Sequence, residues 1–185
     1  MRTGNYCAFY VAEPFNPGPL AAHATRDFVY YNLLRSWKGT DRNFPFIDSH
    51  DTTYNVRDGS DWETTLKPRL RARLRNSKNV VLFLSSATVN SRAIREEIEY
   101  GIQDKGLPVI VIYPEYKTKA ELLNNNALKQ SVIDLWGKVP AFRDHRHLVP
   151  TLHMPLHKDT IADGLRNSGF MLDTKVKPDI YRYSA

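Results

Sequence analysis

Val80 to Leu84 (VVLFL) is an unbroken apolar run, followed at once by the polar segment Ser85 to Asn90 and by a helix-patterned stretch from Ser91 to Ile102. A run apolar at odd and even positions alike must be covered on both faces, so its strand belongs inside a parallel α/β sheet rather than at a half-wet antiparallel surface. Strand, short loop and helix make one βα unit, and the rest of the chain can be tested for the same rhythm.

It recurs. Tyr6 to Val11 is a near-continuous apolar and aromatic run that predicts a first strand, and Ala12 to Pro19 (AEPFNPGP) is a loop by its Pro and Gly. From Ala24, Phe28, Tyr31, Leu34 and Trp37 recur at helical spacing, with Gly39 as the expected stop. Phe44 to Asp48 (FPFID) predicts a second strand, placed at a sheet edge by Pro45, which cannot donate to a ladder. His50 to Ser60 is a long polar connection. Ser60 and Glu63 then fit a capping box ahead of Leu66, Leu70 and Leu74, with Pro68 expected to kink that helix or delay its start.

After the Gly106 stop, Leu107 to Tyr113 (LPVIVIY) predicts a fourth strand. Lys117 to Trp136 is helical by pattern, with Asn124, Asn125 and Asn126 poised to divide it. Leu148 to Leu156 predicts a fifth strand flagged by Pro150 and Pro155, Thr160 to Leu165 a last short helix, and Leu172 to Ala185 a surface or loose tail. The expectation is one domain over 1–185, with its core at about 5–168 and a tail at about 169–185.

Parallel strands need right-handed crossovers, so five βα units imply helices on both faces of the sheet. The order 2-1-3-4-5 sends the strand with Pro45 and the strand with Pro150 and Pro155 to the edges. The predicted class is therefore α/β, a flavodoxin-like three-layer αβα fold with a five-stranded parallel sheet and a switch point between strands one and three.

Composition narrows the function classes. With 42% hydrophobic and 25% charged residues, no apolar run near membrane-span length and no secretory layout at the N-terminus, the reading is a cytoplasmic protein with no membrane partner. Cys7 is the only cysteine, which excludes an intrachain disulfide and a cysteine-based zinc site within one chain. The net charge of +6 is concentrated in Lys67, Arg69, Arg71, Arg73, Arg75 and Lys78. Alternate residues fall on several sides of a helix, as on a solvated surface, so nucleic acid is disfavoured as a partner. His145 with His147 and His153 with His157 have spacings that metals tolerate but lack a third ligand nearby, and no metal is expected.

Several chemistries drop out on motif grounds. The loop after strand one is not the Ser/Thr/Gly-rich loop of a flavin phosphate site, strand three ends Leu84-Ser85-Ser86 without a phosphoacceptor aspartate, and neither GxGxxG nor a Walker sequence is present. Ligands of such sheets bind beyond the carboxyl ends of the strands. That places Tyr10 and Val11 (strand one), Asp48, Ser49 and His50 (strand two) and Ser85 and Ser86 (strand three) among the substrate-binding candidates.

The helix after strand three carries Glu96, Glu97 and Glu99. At about 100° per residue, Ile94, Ile98 and Ile102 mark the buried stripe, Glu96 lies opposite it in solvent, and Glu97 and Glu99 flank it. Glu97 shares its column with Ala93 and Gly101. Small neighbours either leave a ligand room beside the carboxylate or merely let the helix pack closely, and the spacing alone leaves both open.

Taken whole, DSH, DWETTLKPRLRARLRNSKN, LFLSSATVNSRAIREEIEYGI and KGLPVIVIY resemble Toll/interleukin-1 receptor (TIR) domains, most closely the TIR-like ThsB family of the bacterial Thoeris antiphage system. Residues 5–115 carry the resemblance. The family's Trp-x-x-x-Glu pattern falls on Ala93 and Glu97, so the glutamate is kept and the tryptophan is not. The resemblance implies a hydrolase that breaks the nicotinamide ribosyl bond of NAD+, with Glu97 catalytic and NAD+ a substrate rather than a cofactor. It further implies a cyclic ADP-ribose isomer or an ADP-ribose conjugate as signal, a ThsA-like effector as partner, and a homo-oligomer or TIR assembly as the working form. A non-catalytic TIR-like scaffold is the alternative.

Overall fold

The computed structural model describes residues 2–8, 26–50 and 61–183. In chain order it contains β1 (Gly4–Ala8) and α1 (Arg26–Thr40), then a wide helical turn (Trp62–Leu66) leading into α2 (Lys67–Asn76). β2 (Ser77–Phe83) and α3 (Arg92–Glu99) follow, and α3 widens through Tyr100–Asp104 before β3 (Val109–Tyr113). Next come α4 (Lys119–Leu122), a small hairpin of β4 (Leu123–Asn124) and β5 (Ala127–Leu128), α5 (Gln130–Asp134) and α6 (Pro140–His145). β6 (Thr151–Pro155), α7 (Lys158–Arg166) and β7 (Ile180–Arg182) complete it.

The main sheet is parallel throughout, in the order β1-β2-β3-β6-β7. Val80, Leu82, Val109 and Val111 face one apolar layer with Leu70, Leu74, Ile94, Ile98 and Phe142 of α2, α3 and α6. Val81, Phe83, Ile110 and Ile112 face the other, with Tyr31 and Leu34 of α1 and Ile161 and Leu165 of α7. Both faces are dry, which is why these strands are apolar at every position. The α/β flavodoxin-like architecture and the expected strand neighbours hold. Among the described residues, no helix is long and apolar enough to cross a membrane.

The edges differ from the expectation in instructive ways. Phe44 to Asp48 lies beside β1 but joins it by one parallel bridge, Asn5 to Asp48. The Asn5 N–H donates to Ile47 O at 2.6 Å, while Ile47 N–H donates to the Asn5 side-chain oxygen at 2.9 Å, so a side chain takes over part of the ladder. The fifth predicted strand is interior, not an edge, because β7 pairs with Thr151 to His153. Pro150 and Pro155 only bracket that paired stretch, where a missing N–H costs nothing. The tail is thus partly sheet, anchored further by Leu172 N–H donating to Lys78 O at 2.8 Å.

Local signals acted as their chemistry dictates. The cap ahead of α2 is Asp61, whose carboxylate accepts the N–H of Thr64 at 2.8 Å, rather than Ser60, which lies outside the described residues. Pro68 occupies the first turn of α2, so it delays the helix start without kinking it. α1 runs through Gly39 to Thr40. Asn125 and Asn126 have φ of 46° and 62° and form the two-residue turn of the β4–β5 hairpin, which divides the predicted 117–136 helix. Gly106, at φ 61°, ends the helical segment as expected.

His153 is a core residue. Trp136 Nε1–H donates to Tyr113 Oη at 2.8 Å, Tyr113 Oη donates to His153 Nδ1 at 2.7 Å, and His153 Nε2–H donates to Thr151 Oγ1 at 3.0 Å. Thr151 in turn donates to Asp179 O at 3.3 Å. Burial lowers the imidazole pKa to about 3 and so keeps it neutral, and with Nε2–H on Thr151 the bare Nδ1 accepts from Tyr113.

Candidate functional site

α3 begins at Ser91, whose hydroxyl accepts the Ile94 N–H at 3.3 Å and caps the first turn. Ile94, Ile98 and Ile102 form the buried stripe that the spacing predicted. Glu97, on the flank of that stripe, is carried toward β1, where Tyr6 Oη donates to its Oε1 at 2.8 Å. The glutamate is only 8% exposed, and its Oε2 is buried with no hydrogen-bond partner among the described residues. Burial raises its pKa to about 8, against the opposing pulls of the Tyr6 bond and the Arg73 guanidinium. A carboxyl so placed is mostly protonated at neutral pH and ionises when a positive charge arrives beside it.

Behind Tyr6 stands a second layer. The Tyr6 and His50 rings lie 4.6 Å apart, and His50 Nε2–H donates to Cys7 O at 3.0 Å. Asp48 accepts the His50 backbone N–H at 2.8 Å and the Tyr31 hydroxyl at 2.6 Å, with Arg35 Nε 3.6 Å away. Burial is the main cause that lowers the His50 pKa to about 4, Arg73 and Arg35 add to it, and Asp48 opposes. His50 is therefore a neutral imidazole. Burial first, then Asp48 and Glu97, push the Cys7 thiol well above its ordinary range, which makes it inert as a nucleophile.

Of the residues predicted from sequence, the structure gathers Glu97, His50 and Asp48 around Tyr6. Ser49 turns away: its hydroxyl meets that of Ser77 at 2.7 Å, and Ser77 donates to Arg73 O at 2.9 Å. Ser85 is buried and engaged in its own turn, its N–H donating to Thr88 Oγ1 at 3.0 Å and its Oγ accepting from Ala87 N–H at 3.2 Å. Ser86 donates to the Glu115 carboxylate through its hydroxyl and through its N–H, the latter at 3.2 Å, tying the β2–α3 loop to the segment after β3. These three serines do not join the Glu97 cluster. Tyr10 and Val11 lie outside the described residues.

One open alternative closes and two other expectations change. Gly101 leaves no space beside Glu97, since a Cβ there would sit 3.2 Å from Val80 Cγ2 and 3.5 Å from Leu74 Cδ2. It is a close-packing glycine. Glu96 is not in open solvent but accepts from Arg71 Nε at 2.6 Å. Arg73, assigned to a solvated run, is buried at 8% exposure, where its charge bears on Glu97 and His50.

Tyr6, Tyr31 and Arg73 are the members of the cluster that sequence reasoning passed over. The available signal for Tyr6 was chemical: a tyrosine in a central strand carries a hydroxyl that needs a buried partner. Trp62 packs against the α2–α3 apolar layer, with the Arg92 guanidinium 5.5 Å from its ring centre, so a tryptophan does stand beside the first turn of α3. Among the described residues, no three His, Cys, Asp or Glu side chains stand together as a metal ion requires.

Comparison with protein families meets the same residues. The family model described as Thoeris protein ThsB, TIR-like domain, matches residues 6–119, from Tyr6 in β1 to the first turn of α4. The match spans more than half of the chain and takes in the whole cluster of Tyr6, Tyr31, Asp48, His50, Arg73 and Glu97. The chain belongs to the TIR-like domain family of the Thoeris protein ThsB.

Proposed function

We propose that this chain is a bacterial antiphage enzyme that cleaves NAD+ at its nicotinamide ribosyl bond, with Glu97 as the essential carboxylate. The observation that carries the reading is Glu97 itself: buried, held through Oε1, and with Oε2 uncommitted among the described residues. Breaking the C1′–N bond sends the electron pair to the pyridinium nitrogen, which leaves as neutral nicotinamide, and the ribose becomes oxocarbenium-like. A carboxylate beside the ribose binds its hydroxyls and stabilises that developing charge, as in glycoside hydrolysis. The raised pKa suits this order of events, because the positive substrate promotes the ionised form that the transition state uses.

The acceptor sets the product. Water gives ADP-ribose and a proton, a group on the ADP-ribose itself gives a cyclic isomer, and an outside nucleophile gives a conjugate. We assign the cyclic isomer or the conjugate as a diffusible signal in the cytoplasm to a ThsA-like effector. Asp48 and His50, held behind Tyr6, supply the adjoining wall.

The deep burial of Glu97 also favours a second reading, a TIR-like scaffold that assembles without turnover. One experiment separates the two: nicotinamide release in extracts of phage-infected cells carrying wild type or Glu97→Gln. Release that vanishes in the folded variant supports the enzyme. Equal release from both, or none from either under every condition, overturns it.

A further inference from the structure

We propose that Tyr6 is the positioning residue of Glu97: its hydroxyl holds Oε1 against β1, so that Oε2 alone is presented to the ribose. The inference deepens the NAD+-cleavage reading and rests on it for the identity of the substrate. Its basis is geometric. The bond is 2.8 Å long, both partners are buried, and they lie on different elements, β1 and α3. A glutamate side chain has three rotatable torsions, and fixing one oxygen to a sheet residue removes that freedom before substrate arrives.

Tyr6 cannot itself swing away cheaply. Its ring lies against His50, which is tied to Cys7 O and, through its own N–H, to Asp48. Asp48 is held in turn by Tyr31 of α1. The orientation of Glu97 is thereby referred back to the sheet edge and to α1.

The charged and titratable groups around Glu97 come from several elements. Arg73 of α2 and Cys7 of β1 couple to it electrostatically, with His50 and Asp48 behind Tyr6. On the α6 flank of α3, Arg143 pairs with Asp144, and His145 accepts from Gln103 at 2.8 Å. A donor to the ionised form favours ionisation, so the Tyr6 hydroxyl pulls the Glu97 pKa down, opposing burial.

The test is Tyr6→Phe, which keeps the ring and its stack on His50. In the substrate-free protein with 13C-labelled glutamate, the Glu97 carboxyl should titrate about one to two pH units higher in the variant than in wild type. In turnover, the acid limb of kcat should move up by a similar interval, with the loss at neutral pH falling on kcat rather than KM. A carboxyl that titrates alike in both proteins overturns the proposal, as does a kcat equal to wild type at every pH. A displaced titration in a protein that releases no nicotinamide supports the hold on Oε1 and overturns the reaction instead, so the two failures fall on different readouts. Should Tyr6→Phe not fold, 3,5-difluorotyrosine placed at position 6 is a stronger donor and must lower the Glu97 titration; an unmoved titration sinks the idea.

Discussion

Tyr113 Oη donates to His153 Nδ1 at 2.7 Å across two neighbouring central strands, within a chain of donors running from the Trp136 indole to the Asp179 carbonyl. Burial keeps the imidazole neutral by lowering the His153 pKa to about 3. The unfolded chain takes up that proton near the ordinary histidine value of 6.5, so the contribution to stability is complete above 6.5 and lost as pH falls toward 3. His153→Phe should cost about 1–3 kcal/mol at pH 7, through the hydroxyls it leaves unpaired. It should also show a shallower loss between pH 6.5 and 4.5, by up to about 1.4 kcal/mol per pH unit. Urea unfolding across that range reads both effects.

Asn79 joins three separate pieces of chain. It accepts from Asn5 Nδ2 at 2.8 Å and donates to Phe170 O at 2.9 Å, while Asn5 Oδ1 receives the Ile47 N–H. Asn79→Ala should lower stability by about 2–4 kcal/mol, since two buried groups lose their partner at once. The edge segment that carries Asp48 and His50 should loosen with it. Hydrogen exchange at Ile47 and Ser49, faster in the variant at equal global stability, is the expected signature.

Glu97 makes stability fall as pH rises. Its folded pKa, about 8, lies above the ordinary value of 4.5, so the folded protein keeps a proton that the unfolded chain releases. The contribution is fully present below 4.5 and is lost progressively up to about 8, at about 1.4 kcal/mol per pH unit. His50 and His153 act with the opposite sign below 6.5. The clean observable is therefore the difference in unfolding free energy between Glu97→Gln and wild type, which should widen in favour of the variant from pH 4.5 to 8 and then level off. A constant difference would contradict the buried, raised carboxyl.

Gly101 separates packing from ligand space. A side chain there meets Val80 and Leu74, so Gly101→Val should cost about 1–3 kcal/mol by overpacking and should leave nicotinamide release per folded molecule near that of wild type. Thermal melts alongside an assay corrected for folded fraction decide it. Intact stability with lost release would restore the glycine to the substrate side.

Periodicity along the chain was enough for the βα rhythm, the order of β1, β2, β3 and β6, the Ile94–Ile98–Ile102 stripe, the Gly106 stop and the candidacy of Glu97. All of these depend on periodicity, chain stiffness or backbone preference over a few residues, and such forces act the same way wherever the segment ends up. Asp48 and His50 were legible as the end of an extended segment beside β1. Only the tertiary structure decided that Arg73 leaves its exposed run for the interior, that Gly101 packs rather than opens, that the tail supplies β7, and that Ser49, Ser85 and Ser86 are engaged elsewhere. It alone joined Tyr6 to Glu97, residues 91 positions apart. Neither residue carries a local mark of the other: a buried hydroxyl and a buried carboxyl each need a partner, and which partner they find is settled by how β1 and α3 cross, a property of the packed core and not of any short stretch of chain.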